Sequence, residues 1–195
     1  MLKYRFTQKV FLLCCMLALL VIMSCNNSEN NTENYLRKII GKKIVLPEDL
    51  LLFNSVDTSY YNAIYAPCKL VTIIDSASCS ECRIKSLYVL KSIVDKDKTS
   101  KSRFIVIFDT KDIYNTEQIF EKYKIKIPFF IDLKHNISKM NEIPDKRTFQ
   151  TFLLIDEKVI VAGDPTYNST LYELYIKQIK KLSEIKKGKL NIFDN

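Results

Sequence analysis

Leu70 to Ile74 is a short apolar, β-branched run that passes through Asp75 to Ser78, reaches Cys79-Ser80-Glu81-Cys82, and continues with apolar residues at Ile84, Leu87, Tyr88 and Val94. The first spacing predicts a buried strand and the second a helix, so the Cys-x-x-Cys pair falls at a strand-to-helix junction. No other stretch constrains the fold as strongly. Two thiols in the first turn of a helix lie close enough to bridge, and the helix N-terminus stabilises a thiolate there. Redox chemistry is the first expectation. Zinc sites use the same spacing but normally need a second pair, and the sequence has no second Cys-x-x-Cys. A metal-binding or purely structural pair is the alternative.

The chain has 195 residues, 47% of them apolar, which suits one domain with additions. Residues 1–24 read as a signal: Lys3, Arg5 and Lys9 precede an apolar run of 13 residues, Val10 to Ile22. A span needs about 20. Ile22-Met23-Ser24-Cys25 resembles a bacterial lipobox, which implies lipid (palmitate) on Cys25 and a chain anchored to a membrane of the bacterial cell envelope on its extracytoplasmic side. An ordinary secretory signal or a short N-terminal anchor is the rival reading. Residues 25–34 form a polar tether, with Asn26 to Asn34 offering nothing to bury.

Losing the signal's three basic residues takes the net charge from +8 to +5, and much of the excess sits in Lys177, Lys180, Lys181, Lys186, Lys187 and Lys189. A solvated helix face explains these lysines, with attraction to an acidic membrane surface as the alternative. Nucleic acid is not an expected partner: only Arg83 and Arg103 lie between residues 40 and 140, without interleaved stacking aromatics. Of six cysteines, Cys14 and Cys15 leave with the signal and Cys25 carries lipid, so Cys68, Cys79 and Cys82 remain. These are too few for a disulfide scaffold.

Along the mature chain, residues 35–68 form an N-terminal extension, 69–186 the main domain and 187–195 a tail. Tyr35 to Ile40 is expected to be helical and to stop at Gly41. Lys42 to Leu46 is expected to be extended, and Glu48 to Cys68 irregular with one or two strands. Arg103 to Phe108 reads as a second buried strand, Asp112 to Lys124 as a helix with Ile119, Phe120 and Tyr123 inward, and Ile127 to Ile131 as a third strand. Ile137 to Ile143 reads as a short helix. Thr151 to Ile155 and Lys158 to Ala162 flank Asp156-Glu157 as a hairpin. The last helix starts near Asn168 or Ser169 with Leu171, Leu174, Tyr175, Ile179 and Leu182 on its apolar face. This order predicts an α/β sandwich with right-handed parallel crossovers and an antiparallel hairpin at the edge.

Over Lys69 to Leu182 the chain resembles the extracytoplasmic thioredoxin-like proteins of the TlpA and ResA type. The resemblance rests on the strand before Cys79-Ser80-Glu81-Cys82, on K-Y-K-I-K-I-P-F-F-I-D at 122–132 and on T-F-L-L-I-D-E-K-V-I at 151–160. Together with Gly163-Asp164-Pro165 and Leu171 to Tyr175, these blocks also look like a group of thioredoxin-like lipoproteins. The fold implied is a central mixed sheet flanked by helices. The activity implied is disulfide exchange with exported proteins through a redox-active Cys79-Cys82 disulfide. No dissociable cofactor is implied, but an upstream redox partner is.

Cys79, at the helix N-terminus, is the expected nucleophile and Cys82 the resolving thiol. Ser78 and Glu81 fit a capping box. A carboxylate at Glu81 also opposes the helix dipole, which favours a reductant or isomerase over an oxidant, and ResA-like reductants place Glu there too. Arg83 pulls the other way and is expected to be solvated. The family's cis-proline precedes the first hairpin strand, where this chain has Gln150, so Gln150 and Thr151 are expected to face the thiols. A non-proline residue costs about 3 kcal/mol to hold cis, so a trans bond is expected. Pro128 reads as structural. The chain also lacks a Trp before Cys79 and has Ile73 where the family has a buried Asp.

Cys68 lies about seven strand residues from the pair, roughly 20 Å, and reads as a buried bystander. His135 is the only histidine and is expected in an exposed loop. Copper-carrying relatives combine two cysteines with a distant histidine, so Cys79, Cys82 and His135 form the alternative Cu or Zn site. On that reading the chain is a non-catalytic binding lipoprotein.

Overall fold

The computed structural model describes residues 34–54, 58–75, 81–97, 102–144 and 147–190, with residues 58, 59, 81, 82, 147 and 182–190 described by backbone alone. The signal and lipidation site, Cys25 included, lie outside the described residues. The chain divides into two compact units, Met1–Ile39 and Ile40–Asn195. In the first, a short helix, α1, covers residues 34–39.

The second unit is built on a six-stranded sheet. Its strands are β1 (Leu51–Phe53), β2 (Cys68–Asp75), β3 (Ser102–Asp109), β4 (Phe129–Ile131), β5 (Thr151–Ile155) and β6 (Lys158–Ala162). The spatial order is β1-β4-β3-β2-β5-β6. β2 pairs parallel with β3 and β3 with β4, while β1, β5 and β6 pair antiparallel with their neighbours. Its helices are α2 (Glu81–Val94), α3 (Ile113–Lys122), α4 (Asn136–Met140) and α5 (Ser169–Leu190). The parallel centre and antiparallel hairpin edge match the expected α/β arrangement.

Every residue of β2 from Cys68 to Ile74 is buried. A central strand covered on both faces reads as a near-continuous apolar run, which is why Leu70 to Ile74 stands out in the sequence. One face of the sheet meets α2 and α5 through Leu70, Ile74, Leu87, Leu90, Leu153, Tyr175 and Ile179. Toward β4, Phe108, Phe120 and Phe129 pack with centroids 4.2 to 5.3 Å apart, and Phe53 stacks on Phe129 at 5.7 Å. Such aromatic pairs add to the area they bury.

Several local expectations change. Residues 58–65, which read as irregular, form a 3-10 helix whose Tyr60 stacks on Phe130 at 5.9 Å and donates its hydroxyl to the Phe104 carbonyl. That burial pushes the Tyr60 hydroxyl pKa above its ordinary value. The third strand begins at Phe129, because Pro128 has no N–H to give a ladder. Tyr88 is 49% exposed and Leu174 40%. The buried stripe of α2 runs through Leu87, Leu90 and Ile93, and Tyr88 is rotated a further 100° or so from Leu87. On α5, Tyr175, Ile176 and Ile179 face inward in the same way and Leu174 turns out.

The outer edge of β6 is covered by residues 41–44. Gly41 N–H donates to the Val159 carbonyl at 2.8 Å, Val159 N–H to Lys42 at 2.9 Å and Ile44 N–H to Glu157 at 2.8 Å. The hairpin turns through Asp156 and Glu157, both at positive φ, the handedness that follows the twist of its strands. Among the described residues, no helix is long and apolar enough to cross a membrane.

One charge is buried in β2 itself. Lys69 Nζ donates to the Ile64 carbonyl at 2.6 Å, and burial lowers its pKa despite the opposing pull of Glu157 and Asp156. The unfolded chain therefore binds this proton more tightly than the folded one. The penalty is complete below the folded pKa and is relieved as pH climbs toward the ordinary value of 10.5. Lys69→Met is expected to raise stability by about 1 kcal/mol at pH 7, with the gain shrinking toward pH 10.5; urea midpoints across that range check it. Phe152→Ala, at a fully buried position of β5, is expected to cost about 3–5 kcal/mol in the same assay.

Candidate functional site

β2 ends at Asp75 and α2 opens at Glu81, so the residues between join the C-terminal end of a parallel strand to a helix N-terminus. Ser78 and Cys79 lie in that junction, outside the described residues. Glu81 and Cys82 form the first turn of α2, described by backbone alone. Among the described residues, α2 begins at Glu81.

Arg83 overturns its expected solvation. Its residue is only 2% exposed. Nη2 donates to the Ile73 carbonyl and, at 2.9 Å, to Gln150 Oε1, while Nη1 stands 3.6 Å from Asp164 Oδ2. A guanidinium keeps its proton in any protein interior, so burial obliges it to find acceptors and a counter-charge. Helical periodicity alone treats Arg as an outward residue. Gln150 and the counter-charge Asp164 lie 67 and 81 positions away in sequence, which no local pattern reveals.

Gln150 completes the network. It is also 2% exposed, and its Nε2 donates to Asp75 Oδ2 at 3.0 Å. Its carbonyl accepts from Ile73 N–H at 2.8 Å, extending the β2–β5 pairing by one residue beyond Thr151. No peptide bond among the described residues is cis. The Gln150 and Thr151 side chains are both buried, and Thr151 Oγ1 is 3.0 Å from Thr72 Oγ1. Tyr175, fully buried, donates its hydroxyl to the Gly163 carbonyl at 2.8 Å and the Thr151 carbonyl at 3.2 Å. Burial raises its pKa well above the ordinary range, and nearby Asp164 adds to this. Gly163 has φ +114°, and a Cβ there would stand 3.1 Å from Leu171, so the turn between β6 and α5 requires glycine.

His135 also departs from its expected exposed loop. It has a left-handed backbone (φ 55°), and Nδ1 pairs with Asp109 Oδ1, leaving one third of the side chain exposed. Ser138 Oγ donates to the other Asp109 oxygen at 3.0 Å. Asp132 accepts from Ile137 N–H at 2.7 Å and Lys134 N–H at 3.2 Å. Asp109 is the register partner of Asp75, so this cluster stands one strand over from the end of β2. Among the described residues, no group of three or more His, Cys, Asp or Glu side chains is arranged to hold a metal ion.

Cys68 is buried at the opposite end of β2, where Ser102 Oγ donates to its sulfur at 3.3 Å. Pro128 precedes β4, two strands from β2 and on the far side of it from Gln150. The structure thus brings together Asp75, Arg83, Gln150, Thr151 and Asp164 at the base of α2. Cys68, Pro128 and His135 are elsewhere. Sequence reasoning missed Asp75, Asp164 and Asp109. The one local signal was an acid at the end of each parallel strand, where a carboxylate can accept from a neighbouring loop.

No protein-family profile matches the chain, and no curated protein does. Solved structures do. A candidate thiol:disulfide interchange protein DsbE from Chlorobium tepidum aligns with TM-score 0.51 and 13% identity, over 74% of this chain and 96% of that one. A candidate protein disulfide isomerase from Bacteroides thetaiotaomicron aligns with TM-score 0.51 and 16% identity, over 74% and 90%. The thioredoxin domain of a thiol-disulfide oxidoreductase from Bacteroides vulgatus aligns with TM-score 0.50 and 17% identity, over 72% and 97%. At these identities the likeness establishes the fold.

Gln150→Leu removes the link between Arg83 and Asp75 while conserving volume. It is expected to cost about 2–3 kcal/mol in urea unfolding, because a buried charged donor loses an acceptor. A cost below about 0.5 kcal/mol, the range of ordinary surface substitutions, would show that the network contributes little to holding β5 on β2.

Proposed function

From a thioredoxin-like α/β fold whose β2–α2 junction carries Cys79 and Cys82, we propose that the chain is a thiol-disulfide oxidoreductase acting on exported proteins from a lipid anchor at Cys25. The observation that carries this reading is the start of α2 at Glu81, six positions after a buried parallel strand ends at Asp75. A helix N-terminus at that point favours thiolate over thiol in its first turn.

In the reducing direction, the Cys79 thiolate attacks a substrate disulfide. A mixed disulfide forms, the substrate S–S bond breaks, and one substrate sulfur leaves as thiolate and takes a proton. The Cys82 thiolate then attacks the Cys79 sulfur of the mixed disulfide, the Cys79-Cys82 disulfide forms, and the second substrate thiol is released. Two electrons pass to the substrate, and a dithiol reductant upstream returns them to the pair. A carboxylate at Glu81 opposes the helix dipole, which suits a reductant or isomerase better than an oxidant. The tether of residues 25–34 gives the domain reach from the membrane surface.

The test equilibrates the full chain in glutathione buffers and maps alkylation peptide by peptide. Reversible, paired loss of labelling at Cys79 and Cys82, with Cys68 unaffected, is the expected result. Cys79→Ser is expected to abolish insulin-disulfide reduction. Thiols that stay labelled under oxidising conditions, or that are masked until a chelator is added, would overturn this reading in favour of a Cu- or Zn-binding lipoprotein.

A further inference from the structure

The outward face of α5 takes no part in the chemistry proposed above. We propose that this face, through Lys177, Lys180 and Lys181 with Leu174 beside them, docks on an anionic lipid surface. This goes beyond the thiol chemistry and takes from that reading only the lipid anchor at Cys25, which brings a bilayer within reach.

α5 carries six lysines against two glutamates, a net charge of +4. Tyr175, Ile176 and Ile179 are buried in the core, and they fix which way the helix faces. Lys177, Lys180 and Lys181 stand at i, i+3 and i+4, on one helical face, and all three are exposed. With Glu173 and Ile176 they border a single recess, so three ammonium groups meet one carboxylate there. Elsewhere on the surface Lys43 pairs with Glu157 at 2.6 Å, Lys91 with Asp95 at 2.8 Å and Lys134 with Asp49 at 2.6 Å. Lys177, Lys180 and Lys181 have no ion-pair partner among the described residues, although Glu173 stands only four positions before Lys177.

Three unpaired cations on one face call for an anionic partner. Leu174, 40% exposed, stands one turn before Lys177 and two before Lys181, on the same side of the helix. An apolar side chain among lysines suits the boundary between headgroups and acyl chains, where each lysine stem lies along apolar surface and its ammonium stays with the headgroups. Nucleic acid would call for arginine forks and stacking aromatics, and Lys177, Lys180, Lys181 and Leu174 supply neither. The 16 residues from Cys25 to Ile40 reach no farther than about 55 Å. An anchored chain therefore keeps the domain near the bilayer, at an effective concentration where a weak contact is populated. One acyl anchor with one basic patch is the two-signal arrangement that holds a protein stably on a membrane.

The experiment measures binding of the full-length chain, carrying Cys25→Ser so that no acyl group contributes, to vesicles of phosphatidylcholine alone and of phosphatidylcholine mixed with phosphatidylglycerol. Residues 1–24 are common to every variant and cancel in the comparison. Lys177→Gln, Lys180→Gln and Lys181→Gln combined are expected to weaken binding to the anionic vesicles by about 100-fold at low salt, roughly fivefold per lysine. Raising the ionic strength toward about 1 M, where the Debye length falls to about 3 Å, is expected to erase the preference for anionic vesicles. A control removes the same charge elsewhere, by Lys111→Gln, Lys126→Gln and Lys139→Gln combined, and is expected to stay within about threefold of the parent chain, as charges held beyond a Debye length of the surface contribute little. All six positions are exposed, so urea midpoints are expected to stay at the parent value. Equal losses in the two triple variants, or no loss in the α5 variant, would overturn the proposal. Soluble polyglutamate that binds the same three lysines more tightly than anionic vesicles do would overturn the lipid surface in favour of an acidic polypeptide. Wild-type chain recovered from bacterial envelopes with Cys25 unmodified would instead bring down the anchor, and the vesicle result would stand without it.

Discussion

A guanidinium that cannot lose its proton sits in the interior of this domain, and much of the architecture around α2 answers to it. Arg83 needs an anion and several oxygen acceptors at once. They come from the last residues of β2, the residue before β5 and the turn between β6 and α5. Those segments meet only when β5 lies antiparallel beside β2 and α5 returns over the same face. One buried charge thus couples four stretches of chain, and a register slip in β5 would leave it without Gln150.

The same arrangement explains how a sheet of this kind does without proline before β5. Gln150 extends the ladder through its carbonyl to Ile73 N–H, and its amide bridges Arg83 and Asp75 beneath the strand. A proline ring at this position would supply neither amide bond. Fixing residue 150 is thus the work of side-chain hydrogen bonds, with the peptide trans. Tyr175 adds a second tie from α5 to the carbonyls of Thr151 and Gly163, so the start of β5 is held from both below and behind.

The elements legible in the sequence are those whose burial is uniform or strictly periodic. β2 and β3 announce themselves as apolar runs. α3 declares its start through Asp112, whose carboxylate accepts from Asn115 N–H at 2.9 Å. The hairpin shows in two β-rich runs separated by two residues. What stayed hidden depends on partners far along the chain. Residues 58–65 are tyrosine-rich and polar in between, and only the second face of the sheet makes Tyr60 a packing residue. Arg83 reads as solvated until Asp164 is beside it. His135 reads as a loop residue until Asp109, 26 positions earlier, takes its ring. The fold could therefore be read from local pattern, whereas the side-chain network of the site could not.

These pairings also decide how much charge the C-terminal edge of the sheet presents. The C-terminal edge of the parallel strands is acidic, with Asp75, Asp109 and the nearby Asp132, and on charge count alone it should repel any anion. The carboxylates are engaged, however. Asp132 accepts from the first turn of α4, Asp109 from Ser138 while it pairs with His135, and Asp75 from Gln150. Hydrogen-bond donors aimed at a carboxylate offset much of its field. Through Gln150 the Arg83 cation, paired with Asp164, reaches Asp75 as well. Each of the three acids is thus matched by a donor from a neighbouring segment, so the edge carries less net field than its charge count suggests.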